Sequence, residues 1–495
     1  MGYDVVIIGT GMGGLTAGAL LAKKGLNVLL LEKNTQPGGY VASFRRGEFT
    51  FDATGVFVGG CEPGGEFDAL LREIGISLEF IKIDTIRNIF PGFEVALQRG
   101  AFSHYINRLK EMFPEEKPGL ERYEEIVSHI GAEVKGLSYI KWYQKALFPF
   151  FFRNLIRFSG TTHKTVLDRL FREHELKMAL SSLPVTVPPS RLSFLFVATF
   201  LDKVVSEGAF YPKGGMGALP KALAASIEGN GSRINYRTRV ARILTRGNTA
   251  TGVATDEGEV IEAPTVISNV SLPQTFCGLL PGGAPPAIAR RLNRFEYSLS
   301  NFIVYLGVRA DAAIDALPFF TYLRSISDLE EEYRMLRMGE IPENPTFIMV
   351  VPSLIDSTLA PEGTHTIKLL SIAPYDFRNG WGGADEHSYL SLKEDLALRL
   401  ITHVESRVIP GFTEKILFHE AATPLTLERY TGNEQGAMYG LATTPGQFGR
   451  HRPPNRTPIR GLYLAGHYTR PAHGIVGAAI SGSFTARMIL SRRHT

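Results

Sequence analysis

Behind Asp4 the chain runs apolar without a break from Val5 to Ile8, the pattern of a strand buried on both faces of a parallel sheet. A glycine-rich turn follows, then small and apolar residues from about Gly14 to Lys24 that suit a helix ended by Gly25. A second apolar strand, Val28 to Leu31, closes on Glu32. Related patterns return twice. Residues 210–269 read as a glycine loop, a helix from Leu219, a strand through Val240, a hairpin turning at Asp256 to Gly258, and a returning strand from Thr265 to Asn269. Residues 461–490 read as a short strand ending at Gly466, a loop, and a small-residue helix from about Gly474. The stretches between are rich in aromatic and aliphatic side chains, among them Phe194, Phe196, Phe200, Phe319, Phe320 and Tyr322. Their helical or alternating spacing is that of core, and an apolar tunnel would use the same composition.

The first glycines carry a chemistry. Gly9, Gly11 and Gly14 stand at the G-x-G-x-x-G interval directly after a strand and before a helix, with Gly13 in the same turn. Such glycines make the tight turn, admit a pyrophosphate against backbone N–H groups and let the helix pack on the strand. The helix then directs its N-terminal partial positive charge at the phosphates. Glu32 lies 18 residues beyond Gly14, where an acid accepts hydrogen bonds from ribose hydroxyls, and Lys33 adjoins it. A dinucleotide with a free 2′-hydroxyl is the expected ligand.

Five residues after Glu32 comes Gly38-Gly39, and further on Phe51-Asp52-Ala53-Thr54-Gly55 breaks a strand into a turn. The first spacing resembles the extended signature of the FAD-binding, glutathione-reductase-like flavoproteins. The second resembles the amine oxidase and phytoene desaturase branch of that fold. With the segments at 210–269 and 461–490, nearly the whole chain resembles the phytoene desaturase-like FAD enzymes: carotenoid desaturases, carotenoid isomerases and retinol saturases. Leu109 to Tyr123, with its Phe113-Pro114-Glu115, and the pair Thr423 to Tyr430 and Gly436 to Gly440 look most like the isomerase and saturase side. Three departures stand out. His467 occupies the position after Gly466 where many relatives carry an aspartate, Tyr40 follows Gly38-Gly39 where amine oxidases usually carry an arginine, and Thr469 to Gly474 looks like the desaturases' Thr-His-Pro-Gly-Ala-Gly with Thr469, Pro471 and Gly474 kept.

The resemblance implies an α/β fold: a glutathione-reductase-like (Rossmann-type) FAD-binding domain assembled from residues 1–75, 210–290 and 410–495, and a mixed α+β substrate domain from the insertions 76–209 and 291–409. It implies non-covalent FAD held by Gly9, Gly11, Gly13, Gly14, Glu32, Lys33, Gly38, Gly39, the backbone of Val240, and Gly466, Gly474 and Ile475. The helix from Gly474 is suited to stabilise negative charge on a reduced flavin. The implied activity is desaturation, saturation or cis–trans isomerisation of carbon–carbon double bonds in a polyene isoprenoid or similar apolar lipid. Flavin amine oxidation and non-redox lipid binding of the GDP-dissociation-inhibitor type are the alternatives on the same fold. His467, Arg470 and His473, between the last strand and the flavin-facing helix, are the catalytic candidates, with Tyr430; for Tyr430 and Glu428 a loop-fixing hydrogen bond is the competing role.

Composition narrows the picture further. A chain of 495 residues exceeds one core and suggests two or three domains, and 53 basic against 49 acidic residues leave no nucleic-acid footprint. Cys61 and Cys277 lack metal or redox spacing, and no nucleophile elbow or Walker-type phosphate loop is present. The missing second G-x-G-x-x-G favours a quinone, oxygen or external reductant over a built-in NAD(P)H domain as electron partner. The apolar run from Val5 to Ala22 holds five glycines and lacks a basic flank, so it reads as a nucleotide-binding unit and not an anchor. A cytosolic protein without a signal peptide or membrane span is expected. Residues 146–158 combine five aromatics with Arg153 and Arg157, which suits either a peripheral membrane contact or a core helix.

Overall fold

The computed structural model describes residues 2–98, 102–137, 148–182, 186–206 and 208–493. Two sheets organise them. The first is wholly parallel, in the order Arg233–Asn235, Val28–Leu31, Val5–Ile8, Thr265–Ser268, Leu462–Leu464, so strands far apart in sequence lie side by side. Its central strands are apolar at every position because helices cover both faces. This is the expected Rossmann-type sheet, with the first strand at its centre.

The second sheet is mixed and seven-stranded, in the order Ile416–Ala422, Ser300–Arg309, Thr364–Ala373, Phe347–Val350, Phe320–Leu323, Thr85–Ile89, Glu94–Gln98. Both insertions contribute strands, and one parallel pairing, Phe320–Leu323 with Thr85–Ile89, joins them. The strand Ile416–Ala422 belongs to this sheet through its antiparallel pairing with Ser300–Arg309, although the sequence placed 410–495 with the nucleotide-binding part. The partial exposure of its first five residues fits a sheet edge, and nothing in the run Ile416 to Ala422 distinguishes the two sheets.

The helix Gly474–Arg493 is, over Gly474–Arg492, long and apolar enough to cross a membrane by length and composition. In the fold it lies along the helix Met12–Lys23. Contact is close enough that a Cβ on Gly482 would stand 2.2 Å from the Gly13 carbonyl oxygen. Small residues there serve helix packing.

A buried carboxylate ties residues 1–75 to residues 210–290. Asp52 Oδ1 accepts from the Ser43 hydroxyl (2.7 Å) and the Met216 N–H (2.8 Å), and Oδ2 from the Tyr211 hydroxyl (2.6 Å). Lys368, reaching over from the second sheet, donates to the carbonyls of Gly55 (2.6 Å) and Asp52 (3.3 Å). Burial lowers its ammonium pKa to about 8. The Phe-Asp-x-x-Gly turn is therefore the knot where both sheets meet.

Two outcomes follow for stability. Asp52→Ala leaves three buried donors without an acceptor and should cost about 3 kcal/mol or more in urea unfolding, with Asp52→Asn less severe. His163 is fully buried beside the Tyr123 hydroxyl (3.1 Å), and burial lowers its pKa from 6.5 to about 3. The unfolded chain takes up a proton below pH 6.5 that the folded one refuses, so stability falls as pH drops from 6.5 towards 3. His163→Gln should flatten the pH dependence of the urea midpoint by about 1.4 kcal/mol per pH unit in that window.

Candidate functional site

A cavity runs along the C-terminal ends of the parallel strands, the place where open α/β sheets bind ligands. Its atom-free space is about 2020 Å³ with the open mouth included. One end is polar and glycine-lined; the other is aromatic and aliphatic.

The polar end is shaped by missing side chains. A Cβ on Gly11 would lie 2.6 Å from the Asn269 amide nitrogen, and one on Gly13 would lie 2.4 Å from the Gly466 nitrogen. Gly14 does not line the cavity; its Cα abuts the Gly9 carbonyl, where a Cβ would come within 2.3 Å, so it serves helix-on-strand packing. The helix Met12–Lys23 begins at Gly11 with no side-chain cap and no acid in its first turn, which leaves its first N–H groups to a ligand. Gly474 to Gly477, opening the last helix, line the same space, again without an acid in the first turn.

Glu32 sits at the far polar end with Lys33, Thr238, Arg239 and Val240. Its carboxylate already accepts four hydrogen bonds: Thr10 N–H (2.9 Å) and hydroxyl (2.6 Å) on Oε2, Asn34 N–H (2.9 Å) and amide (2.8 Å) on Oε1. A ribose hydroxyl would take the place of a side-chain donor, Thr10 or Asn34, while the two backbone bonds hold the carboxylate still.

Near Gly466 the last strand leads into a loop set by buried polar groups. The Ser481 hydroxyl accepts from the Gly466 N–H (3.0 Å) and from the Asn455 amide (2.8 Å). Arg452 is fully buried and donates to the carbonyls of Gln447 (3.3 Å), Thr469 (3.1 Å) and His467; burial lowers its pKa to about 10. His467 lines the cavity, and its buried Nε2 has no partner among the described residues. Burial and then the Arg452 charge hold its imidazole below the usual pKa. His473 is likewise depressed well below the ordinary value by burial, Arg452 and His467. Its Nε2 shares a hydrogen bond with the Thr443 hydroxyl (2.7 Å), and its ring packs on Tyr439 (4.4 Å) and Phe196 (5.0 Å). Both histidines are neutral at physiological pH.

The other candidates fall elsewhere. Arg470 is exposed, donates to the carbonyls of Arg450 (2.7 Å) and Arg452 (3.2 Å), and does not line the cavity. The turn after Tyr468 swings its side chain outward, so proximity in sequence to His467 misled. Tyr430 lines the cavity beside Asn34, whose amide donates to its carbonyl (3.0 Å), at the Glu32 end and away from His473. Glu428 fixes its loop by accepting from Tyr375 (2.5 Å) and the Gln435 N–H (3.0 Å). Tyr40, the departure after Gly38-Gly39, donates to the carbonyls of Gly436 (3.1 Å) and Ala437 (3.0 Å) and tethers that loop over the glycine turn.

Asn269, Thr443 and Arg452 were not anticipated as site residues. Only Asn269 carried a signal, since it ends the returning strand level with the glycine turn; Thr443, three residues past the Gly436 to Gly440 stretch, and Arg452 belong to no motif. The cradle closed to any Cβ, the uncapped start of the Met12–Lys23 helix and the unpartnered His467 Nε2 together fit FAD. Its pyrophosphate would lie at the glycine turn, its adenosine towards Glu32 and Val240, and its isoalloxazine near Gly466 to Ile475.

Comparison with known proteins agrees. Residues 12–376 match the family model described as flavin containing amine oxidoreductase. A prolycopene isomerase from Daucus carota is 28% identical over 515 residues, covering 98% of this chain and 80% of that protein. An all-trans-retinol 13,14-reductase from Danio rerio is 26% identical, covering 99% and 86%. In fold, the chain is similar to an oxidoreductase from Methanosarcina mazei, with a TM-score of 0.64 at 16% identity over 98% of this chain and 99% of the other. With most of its length matched and the glycine cradle intact, the chain belongs to the flavin containing amine oxidoreductases and is an FAD-dependent oxidoreductase.

Proposed function

We propose that the protein acts on carbon–carbon double bonds of a polyene isoprenoid, with cis–trans isomerisation the reaction its cavity supports best. One observation carries this reading: beyond the His467–His473 loop the cavity is lined by Phe57, Phe196, Phe200, Phe320, Ile348 and Leu370, and the one carboxylate among its described lining residues is Glu32 at the opposite end. An ammonium substrate would lose its water there with no anion to receive it, which disfavours amine oxidation. A carrier of the GDP-dissociation-inhibitor type has no use for glycines packed this closely at a nucleotide turn. The relatives named as a prolycopene isomerase and a retinol reductase are in keeping with a polyene substrate.

Bound FAD supplies hydride or electron exchange at its isoalloxazine. The chain's own part is to orient, shield and handle protons. Phe196 and Tyr439 pack at a tilt on His473 at the edge of the apolar chamber, and burial raises the Tyr439 hydroxyl pKa to about 12, so it stays protonated. Neutral His473, steadied by Thr443, and neutral His467 carry the ring nitrogens beside the chamber through which a proton could pass. Isomerisation needs no net proton; saturation and desaturation do. A second reading, hydrogen addition or removal with His473 as proton donor or acceptor, rests on that residue.

Two measurements test these statements. Gly13→Ala should abolish the flavin absorbance of the purified protein, weakening FAD at least about 100-fold, because a methyl would overlap the Gly466 backbone; retained yellow colour would refute the placement. Anaerobic incubation with oxidised or reduced flavin against a cis-carotenoid, an acyclic carotene, retinol and a hydrophobic amine should yield an isomer of unchanged mass from the carotenoid. His473→Phe should leave that rate within about tenfold. A two-hydrogen mass change lost about 100-fold in His473→Phe would establish the second reading, and turnover of the amine alone would overturn both.

A further inference from the structure

We infer that the face formed by the end of the Lys117–Gly136 helix and the two short helices Phe148–Phe151 and Arg153–Arg157 docks on an anionic phospholipid surface. Phe150 is 75% exposed, the highest value among the large hydrophobic side chains of the described residues, and Phe151 (58%), Ile156 (44%) and Leu137 (40%), on the same short helices and at the end of the longer one, are exposed as well. Residues 146 and 147 of the aromatic segment singled out in the sequence lie outside the described residues.

These side chains are held out on a braced support. Glu133 Oε1 accepts from the Asn154 N–H (3.0 Å) and amide (2.7 Å), and Oε2 from the Leu155 N–H (2.8 Å), which staples Arg153–Arg157 to the longer helix. Phe152, between the exposed Phe151 and Arg153, turns inward and is buried against Gly136, where a Cβ would lie 3.5 Å from its ring. A three-bond carboxylate clamp and a buried aromatic pin fix a surface whose outward positions are apolar. In water alone that arrangement exposes phenylalanine for no return.

Charge selects the occupant. From Val134 to Leu167 the chain carries six lysines and arginines and no aspartate or glutamate, in a protein whose acids and bases nearly balance overall. Among the described residues neither Arg153 nor Arg157 has an acidic partner; the Arg157 guanidinium lies over the Phe158 ring at 5.4 Å. Aromatics bordered by two arginines, with the neighbouring Glu133 carboxylate occupied by the Asn154 and Leu155 donors, match the headgroup and acyl boundary of an anionic leaflet. A protein partner of the same character would have to be both apolar and strongly acidic. Helices of four and five residues cannot span a bilayer, so the contact is interfacial. The Lys117–Gly136 helix also packs on Phe194–Phe200, whose Phe196 and Phe200 line the apolar chamber, so the docked face lies one helix away from it.

The test uses the flavin-loaded full chain in vesicle co-sedimentation, with phosphatidylcholine alone or mixed with phosphatidylglycerol. Binding should favour the anionic vesicles and weaken with salt. Phe150→Ser/Phe151→Ser should weaken it at least about tenfold with flavin content and melting temperature unchanged. Arg153→Gln/Arg157→Gln should remove most of the preference for anionic lipid while FAD binding stays intact. A wild-type chain that remains in the supernatant with anionic vesicles, or a double-serine variant that sediments like wild type, would overturn the inference. A change in oligomeric state in the double-serine variant, with vesicle binding unaltered, would reassign the face to a subunit contact. None of these readouts depends on the substrate.

Discussion

The structure hangs on how closely two helices from opposite ends of the chain can approach. Gly13 on the first and Gly482 on the last leave backbone against backbone, and the same Gly13 lies against Gly466 at the end of the fifth strand. Because these contacts admit no side chain, both helix starts open on one space, and the uncapped start of the first helix faces it. The parallel sheet, the glycine turn and the loop after Gly466 hold their positions relative to that contact. The buried amide of Asn455, bonded to Ser481, Thr485 (3.0 Å) and the Leu464 carbonyl (3.2 Å), fixes the last helix against the last strand.

The nucleotide-binding half was legible because backbone conformation there dictates residue type. Gly9, Gly11 and Gly13, the apolar strands and Glu32 are demanded by sterics and burial, and those demands repeat at fixed intervals in any sequence that meets them. The second sheet was not legible in the same way. Its strands come from three separate stretches, and the pairing of Ile416–Ala422 with Ser300–Arg309 is decided by long-range register. Arg452 and Thr443 act through carbonyls and a histidine brought near by tertiary folding, so no local spacing announces them. Arg470 shows the opposite error: a residue close in sequence to His467 that the turn directs outward.

Electrostatically the two ends of the cavity follow different rules. At the Glu32 end, charge is exposed to hydrogen-bond donors and tolerated. At the His473 end burial suppresses ionisation, and the one fixed cation there, Arg452, is neutralised by carbonyl dipoles and not by an acid. A buried guanidinium satisfied in this way holds the loop rigid and keeps both histidines uncharged. The apolar chamber thus borders a polar loop without acquiring a counter-ion that would attract water.

Lys368 gives that partition a thermodynamic consequence. It stands on a strand of the second sheet, and its ammonium holds the carbonyls of Asp52 and Gly55, in the turn that borders the glycine cradle. Leu370, two residues along the same strand, faces the apolar chamber. A displacement of that strand by an occupant of the chamber would carry Lys368, and with it the turn it holds. The affinities of the two compartments are therefore linked reciprocally: whatever factor a chamber ligand adds to dinucleotide retention, the dinucleotide adds to that ligand's own hold.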